Sequence, residues 1–535
     1  IPMLILDPKG DLANLCFNFP ELATADLAPW ISPSTARREG KTVEEVAAAT
    51  AKKWRDGLAT WNVPPARRAQ LKAQTEIRVY TPGSTAGIPL DILSMLRSDP
   101  ADRDNPEIRL DRVGGAVGAL LGLVGIEADP LQSPEHILLS NILDYYWSRG
   151  LAVTLETLLG AILSPPIQKL GIFPLEEFYP GPQRRKLAMT LNGVLAAPNF
   201  ELWRTGAPLD IAAMLSDHAG RTPCNIVYLA HLNDQERMFV VTTILNELVA
   251  WMRRQQGSDA LRALLYFDEI AGYIPPYPGN PASKTPLMLL LKQARAFGLG
   301  ILLATQNPVD VDYKGMTNTG SWFVGKLQAQ GDKERLMDGL ELATGGGPSR
   351  RELDGHISAL SPRQFLVKNV HEREIVCITS RWAMSYLAGP LSLPNVAAIY
   401  DSGLLSRPAA PGPAPVSAAP PATAPAFAAP PPAPLAAPPI ALNWPQVFVP
   451  PEFMLLAELR ERFPRLRPPQ PDRVCYVPFA LAQVRAVFDE ERDRFEEERD
   501  FHRAADLSEP APPSDWANLT GPWHQLVGEA QPSLP

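Results

Sequence analysis

One stretch, from Arg262 to Pro308, constrains this chain more than any other. An apolar run, Ala263-Leu264-Leu265-Tyr266-Phe267, stops abruptly at the acid pair Asp268-Glu269. A run of this kind, bounded by acids and then by Gly and Pro, is the pattern of a strand buried in a parallel sheet. It carries its carboxylates to the C-terminal edge, where open α/β sheets place their ligands. A helical pattern over Leu287–Phe297 follows, then Gly298, then a second buried strand from Gly300 to Ala304 that ends in Thr305-Gln306. Two neighbouring strands therefore deliver an acid pair and an amide to one edge. That set suits hydrolysis of a nucleoside triphosphate. Asp268 would hold Mg²⁺ through water, Glu269 would polarise the attacking water, and Gln306 would position that water or sense the γ-phosphate. The plainer alternative is an acid pair that merely closes a strand, and the amide strand at this distance favours the ATPase.

The stretches LLYFDE, KQARAFGLGILLATQNPVDVDYKG and GDKERLMDGLE carry a family resemblance, as do the opening ILDPKGDL, the segment VYTPGSTAGIPLDIL, and SRWAMSYLAGPL near Arg381. Together they resemble the HerA/FtsK superfamily of P-loop ATPases, and within it the bacterial HerA-like, helicase-like proteins. The resemblance runs from Ile1 to about Tyr400. It implies a RecA-like α/β parallel sheet, ATP and Mg²⁺ as cofactors, and a homo-hexameric ring moving duplex DNA through its pore. It places Asp7, Lys9 and Thr305 along the nucleotide edge. Ring motors complete each site with an arginine from the neighbouring subunit, which neutralises charge on the γ-phosphate. Arg295 and Arg381 are the candidates, with a structural salt bridge as the alternative for each. The loops leaving the two site strands would approach the pore, and their bases, Lys284 and Lys314, are the candidates for contact with DNA.

The phosphate loop itself is missing from the pattern. Gly40-Lys41-Thr42 ends like a G-x-x-x-x-G-K-[ST] cradle, but Thr35 stands where the first glycine belongs, and Trp30-Ile31-Ser32-Pro33 is no strand. Thr42-Val43-Glu44-Glu45 reads instead as a capping box that opens an Ala-rich helix. The resemblance puts the Walker A loop before ILDPKGDL, so it is expected upstream of Ile1, and the sheet is expected to be incomplete at its N-terminus. The 535 residues alone are then expected to bind ATP poorly and not to hydrolyse it.

Acids outnumber bases, 58 to 50, for a formal charge of −8. A protein that coats nucleic acid non-specifically is usually basic, so that class is disfavoured, whereas a narrow DNA-lined pore needs only local charge. Cys16, Cys224, Cys377 and Cys475 are scattered, with no zinc or disulfide spacing. Reduced thiols and a cytoplasmic setting are the simpler expectation. The apolar run Val113–Ile126 is too short for the roughly 20 residues of a membrane span. Its G-x-x-x-G spacing is expected to belong to a packed helix, with no membrane partner.

Composition divides the chain further. Residues 1–92 read as the first part of the ATPase core and 93–220 as a helical insertion, with helical spacing broken by Pro130, Pro134, Pro165-Pro166 and Pro180. Residues 221–402 return to the core, including the strand Asn225–Leu229 and a hairpin over Gln364–Val367 and Ile375–Ile378. His231, just after the first of these strands, suits a capping or loop role better than a nucleotide contact. A charged helix is expected over Asp332–Leu340. Residues 403–441 are a Pro/Ala-rich disordered linker. Residues 442–508 form a small α+β unit, with a strand at Val474–Val477 and a solvated helix over Phe479–Ala505, and 509–535 a flexible tail. Two rivals stand beside the DNA motor: a nucleotide-gated scaffold, and a pump of the secretion or conjugation type. A nuclease or other protein partner is left open.

Overall fold

The sequence Met3-Leu4-Ile5-Leu6 has no polar side chain to present to water, and it forms the middle strand of the central sheet. In the computed structural model Leu4, Ile5 and Leu6 are at most 2% exposed. The structure describes residues 1–98, 105–197, 200–217, 220–327, 329, 331–334, 336–337, 350–372 and 374–407. It describes residues 479–490, 495–506 and 517–519 as backbone alone. The strands in chain order are β1 (Met3–Asp7), β2 (Thr75–Tyr80), β3 (Leu90–Asp91), β4 (Lys169–Leu170), β5 (Phe173–Pro174), β6 (Ala207–Pro208), β7 (Thr222–Tyr228), β8 (Ser258–Phe267) and β9 (Phe297–Leu303). They continue with β10 (Ser321–Val324), β11 (Gln364–Asn369), β12 (Ile375–Thr379), β13 (Phe479–Glu490), β14 (Phe495–Asp506) and β15 (Ala517–Leu519).

The central sheet runs β2-β7-β1-β8-β9, every neighbouring pair parallel. The fold is thus a mixed α/β arrangement around a parallel sheet, as the buried apolar runs require. Register sets the strand ends level: Asp7 lies opposite Tyr228, Leu6 opposite Phe267, and Phe267 opposite Leu303. The chain leaves β1, β8 and β9 along one edge. Helix Asp234–Arg253 covers the sheet and buries Phe239, Val240, Val241, Ile244, Leu245 and Leu248. It starts where it does because Asn233 and Glu236 form a reciprocal capping box, with bonds of 2.9 and 3.0 Å.

Between β3 and β6 lie the helices Pro106–Leu123, Pro134–Trp147, Leu155–Leu163, Leu175–Phe178 and Gly181–Leu195. Pro106 and Pro134 each sit at a first helical turn, where proline's missing N–H costs nothing. Helix 106–123 packs along helix 234–253, joined by an Arg112–Glu247 ion pair at 2.9 Å. The close approach falls at Gly115, where a Cβ would come within 2.7 Å of Asn246. Gly114 and Gly118, of the G-x-x-x-G spacing, face open space. Among the described residues, no helix is long and apolar enough to cross a membrane.

Gly40-Lys41-Thr42 is a helix stop and restart. Gly40 takes a φ of +66°, Thr42 Oγ1 accepts from the Glu45 amide at 3.2 Å, and Glu45 Oε2 accepts from the Thr42 amide at 2.8 Å. Strands β10, β11 and β12 form a separate antiparallel sheet that contains the expected hairpin. Of the expected helix over Asp332–Leu340, residues 332–334 and 336–337 are helical, and the rest lies outside the described residues.

The chain divides into two compact units, Ile1–Val416 and Ser417–Pro535. In the second, the helix expected over Phe479–Ala505 is instead the antiparallel pair β13–β14, with β15 beside β14. The physical reason lies in the residues. Phe479, Val484, Val487 and Phe488 favour strands, and the opposite charges that support i,i+4 pairs on a helix serve cross-strand pairs equally well. The register places Arg485 opposite Asp500 and Val484 opposite Phe501. The expected linker over 403–441 lies outside the described residues from 408 onward, as does the strand at Val474–Val477. Of the flexible tail expected over 509–535, residues 517–519 are instead strand β15, and the rest lies outside the described residues.

Candidate active site

The edge at the ends of β1, β8 and β9 is built from the loop after β1 outward. Asp7 is fully buried, and its carboxylate accepts three backbone N–H groups of its own loop. These come from Gly10 at 2.8 Å, Asp11 at 3.2 Å and Leu12 at 2.9 Å. Burial pushes the Asp7 carboxyl up to about 6 in spite of those bonds, and the nearby Asp268 charge adds to the rise. The loop folds this tightly because Gly10 sits at φ +80°, and a Cβ there would come within 2.8 Å of the Tyr228 ring. A distant segment locks it. Leu391 N donates to Gly10 O at 3.0 Å, Tyr228 donates its hydroxyl to Leu391 O at 2.7 Å, and Asn14 bonds Gly389 O and Ala388 N.

The clamped loop presents Lys9, whose ammonium meets Glu269 Oε2 at 2.6 Å. The other oxygen, Oε1, accepts the Thr305 hydroxyl from the end of β9 at 3.3 Å. Glu269 itself stands at φ +49°, a left-handed conformation that costs a non-glycine residue on the order of 1 kcal/mol or more. Beside it the half-buried Asp268 accepts the Tyr266 hydroxyl at 3.2 Å. Burial, with the Asp268 charge second, pushes the Tyr266 phenol up to about 12, so it stays a donor. Gln306 follows Thr305 and is exposed. Asp7, Lys9, Asp268, Glu269, Thr305 and Gln306 therefore share one edge. Asp7 faces inward to its own loop and Lys9 outward.

The remaining candidates lie elsewhere. Arg295 is in the short turn of helix Ala294–Ala296 that precedes β9, at the opposite end of the strand. Seven residues of strand, roughly 20 Å, separate it from Thr305 within the chain. Arg381 is exposed after β12 and donates to the Trp382 carbonyl at 3.3 Å. The Trp382 ring packs edge-on against Trp54 of helix Val43–Ala59 at 5.4 Å. Lys284 is engaged by its own surroundings, donating to Pro275 O at 2.6 Å and Gly279 O at 3.1 Å and pairing with Asp312 at 2.8 Å. Burial works against the Asp312 charge. The bond from Lys284 and backbone N–H groups outweigh it and hold that carboxyl below the usual range. Asp312 N also donates to Ile274 O at 2.7 Å, so the two loops leaving the site strands are tied together. Lys314, on the short helix Tyr313–Thr317, is exposed. His231 meets the Pro82 carbonyl at 2.8 Å and stacks on Tyr228, a loop-fastening role.

Sequence reasoning missed Tyr228, Asn14 and the 385–391 segment as supports of the loop. A tyrosine inside the apolar run Ile226-Val227-Tyr228-Leu229 was the available signal. It also missed that Lys9 and Thr305 converge on Glu269.

The donor chemistry bears on cofactors in two ways. Among the described residues, no group of three or more His, Cys, Asp or Glu side chains could cage a metal. A Mg²⁺ ion that keeps most of its waters needs only one or two carboxylates plus phosphate, and the half-buried Asp268 at a strand end fits that demand. A phosphate cradle is a different matter: the successive amides of Gly10, Asp11 and Leu12, the nearest nest-like turn, are already turned onto Asp7.

No family model matches the chain, and no curated protein matches it. Several solved structures do. The chain is similar to the genome packaging NTPase B204 from Sulfolobus turreted icosahedral virus 2 in complex with AMP, at 13% identity over 35% of this chain and 79% of that one, with a TM-score of 0.23. It is similar to VirB4 of Thermoanaerobacter pseudethanolicus, at 14% identity over 59% and 83%, with a TM-score of 0.40. It is also similar to the plasmid coupling protein TrwB in complex with ADP and Mg²⁺, at 14% identity over 60% and 82%, with a TM-score of 0.37.

Proposed function

We propose that this chain belongs to a RecA-like ATPase of the HerA/FtsK type, working as a homo-hexameric ring that moves duplex DNA. The observation that carries the reading is the single sheet edge holding Asp268, Glu269, Thr305 and Gln306, with Glu269 in a left-handed backbone conformation. Strain kept at a strand-end carboxylate is a mark of a working site. Mg²⁺, when bound, neutralises charge on the phosphates. Asp268 holds one of its waters. Glu269 accepts a proton from the attacking water as the new O–P bond forms and the bond to the departing diphosphate breaks. Gln306, exposed at the end of β9, orients that water or touches the γ-phosphate. An arginine of the neighbouring subunit, Arg295 or Arg381, completes the site. Both are exposed, as a residue acting across subunits must be.

The test is Glu269→Gln in the intact protein. ATP binding is expected to persist while turnover falls by about 10²-fold or more. Unchanged turnover would reduce Glu269 to a strand-end acid. One observation favours a second reading, the nucleotide-gated scaffold: of the two loop lysines, Lys284 is held by Asp312 and two carbonyls, which leaves Lys314 as the exposed one. Turnover that ignores duplex DNA would favour the scaffold or the protein pump.

A further inference from the structure

We propose that Lys9 is a latch with two alternative partners: Glu269 before nucleotide binds, and the phosphate chain of a bound triphosphate afterwards. The proposal rests on the ATPase reading and adds to it a step that couples phosphate arrival to the release of Glu269.

The geometry argues for a latch rather than a fixed brace. Glu269 has both oxygens engaged, Oε2 by Lys9 at 2.6 Å and Oε1 by Thr305 at 3.3 Å. The lone pair aimed at an ammonium is not offered to water. The pair is nevertheless open: the Lys9 and Glu269 side chains are 36% and 20% exposed, and ion pairs this accessible are weak and exchangeable. A triphosphate carries several negative charges on short-range acceptors and competes well with one carboxylate for an ammonium. Only the Lys9 side chain needs to move, and its flexible four-carbon stem allows that. Its backbone stays in place, because Asp7 clamps the loop through three N–H groups and Gly10 is wedged against Tyr228. When Lys9 leaves, Thr305 and the left-handed backbone keep Glu269 aimed. A cation serving only to position Glu269 would be expected deeper in the fold, as Arg112 is beside Glu247: the two carboxylates are equally covered, but the Arg112 side chain is 7% exposed and that of Lys9 36%.

The test is a double-mutant cycle on binding of the non-hydrolysable analogue AMPPNP to the intact protein. Glu269→Gln removes the competitor for Lys9 and is expected to tighten AMPPNP binding about fivefold, the scale of one exposed ion pair. Lys9→Met is expected to weaken it about tenfold and to leave adenosine binding unchanged, with Lys9→Arg restoring most of the loss. In the Lys9→Met background, Glu269→Gln should change nothing. The latch is overturned if Glu269→Gln has the same effect with and without Lys9. It is equally overturned if Lys9→Met lowers turnover at unchanged AMPPNP affinity, the signature of a positional salt bridge. Wild-type protein that binds no AMPPNP removes the ATPase reading together with the latch, whereas normal binding with no coupling removes the latch alone. Circular dichroism of Lys9→Met and Lys9→Arg separates a folding defect from either result.

Discussion

At the scale of single residues, the candidate site is shaped by Asp7, a carboxylate turned onto its own loop. Asp7 holds three amides of the turn that carries Lys9, at the cost of a buried charge. The folded carboxyl titrates near 6 instead of 3.8, so the folded state holds this proton more tightly than the unfolded chain does. Its contribution is then full below about pH 4 and is lost as pH rises toward and through 6. At about 1.4 kcal/mol per unit, the loss is on the order of 3 kcal/mol. In urea unfolding at a series of pH values, the stability of wild type relative to Asp7→Asn is expected to decline between pH 4 and 6 and to level off above 7. A flat difference across that range would mean that Asp7 is ordinarily acidic and that the loop tolerates its charge without penalty. Asp268 and Glu269 were legible from the sequence because an apolar run that stops at two acids leaves them nowhere but a strand end. The Lys9–Glu269 pair was not. The partners are 260 positions apart, and their meeting depends on β1 lying beside β8, which no local pattern encodes.

At the scale of elements, helix 106–123 shows what periodicity can and cannot reveal. Its glycines at 114, 118 and 122 repeat at a spacing that invites a packing role, yet Gly114 and Gly118 face open space, and the contact is made by Gly115. Glycine spacing records only where side chains are absent; the neighbouring helix decides which of those gaps is used. The Asn246 amide fills this one and donates to Gly115 O at 3.0 Å. Gly118→Ala is therefore expected to raise stability by up to about 1 kcal/mol through helix propensity. Gly115→Ala should instead cost on the order of 1 kcal/mol, because Asn246 must move and give up its bond. Thermal unfolding of the two variants checks this, and equal shifts would refute the placement of the interface. The strands β13 and β14 carry a related lesson. A stretch rich in Glu, Asp and Arg supports a helix by i,i+4 pairing and a hairpin by cross-strand pairing, so charge pattern alone could not choose between them.

At the scale of the whole molecule, the question is whether this edge drives movement along DNA. Acids outnumber bases in the chain, so a grip on DNA would come from a few placed bases, which the proposed ring would repeat. Two loops leave the site strands, and Lys284, Asp312 and Ile274 fasten them to each other. Such a fastening suits a lever, because a displacement at Glu269 or Thr305 would pass to both loops together. Lys284 serves that fastening and Lys314 stands exposed, so the two lysines separate by experiment. Lys284→Glu would place an acid against Asp312 and is expected to lower the melting temperature of the protein. Lys314→Glu, on the surface of its short helix, is expected to leave folding and basal ATPase intact while abolishing stimulation by duplex DNA. Phosphate contacts of this kind release counterions, so the stimulation should fall steeply between 50 and 200 mM salt. The decisive measurement is ATPase rate against duplex DNA concentration at those two salt levels, for wild type and Lys314→Glu. If the wild-type rate ignores DNA at both, the protein does not act on DNA through these loops, and the nucleotide-gated scaffold or the protein pump is favoured instead. If wild type responds and Lys314→Glu responds equally, the contact with DNA is made by other bases, and the Lys314 assignment fails while the motor reading stands.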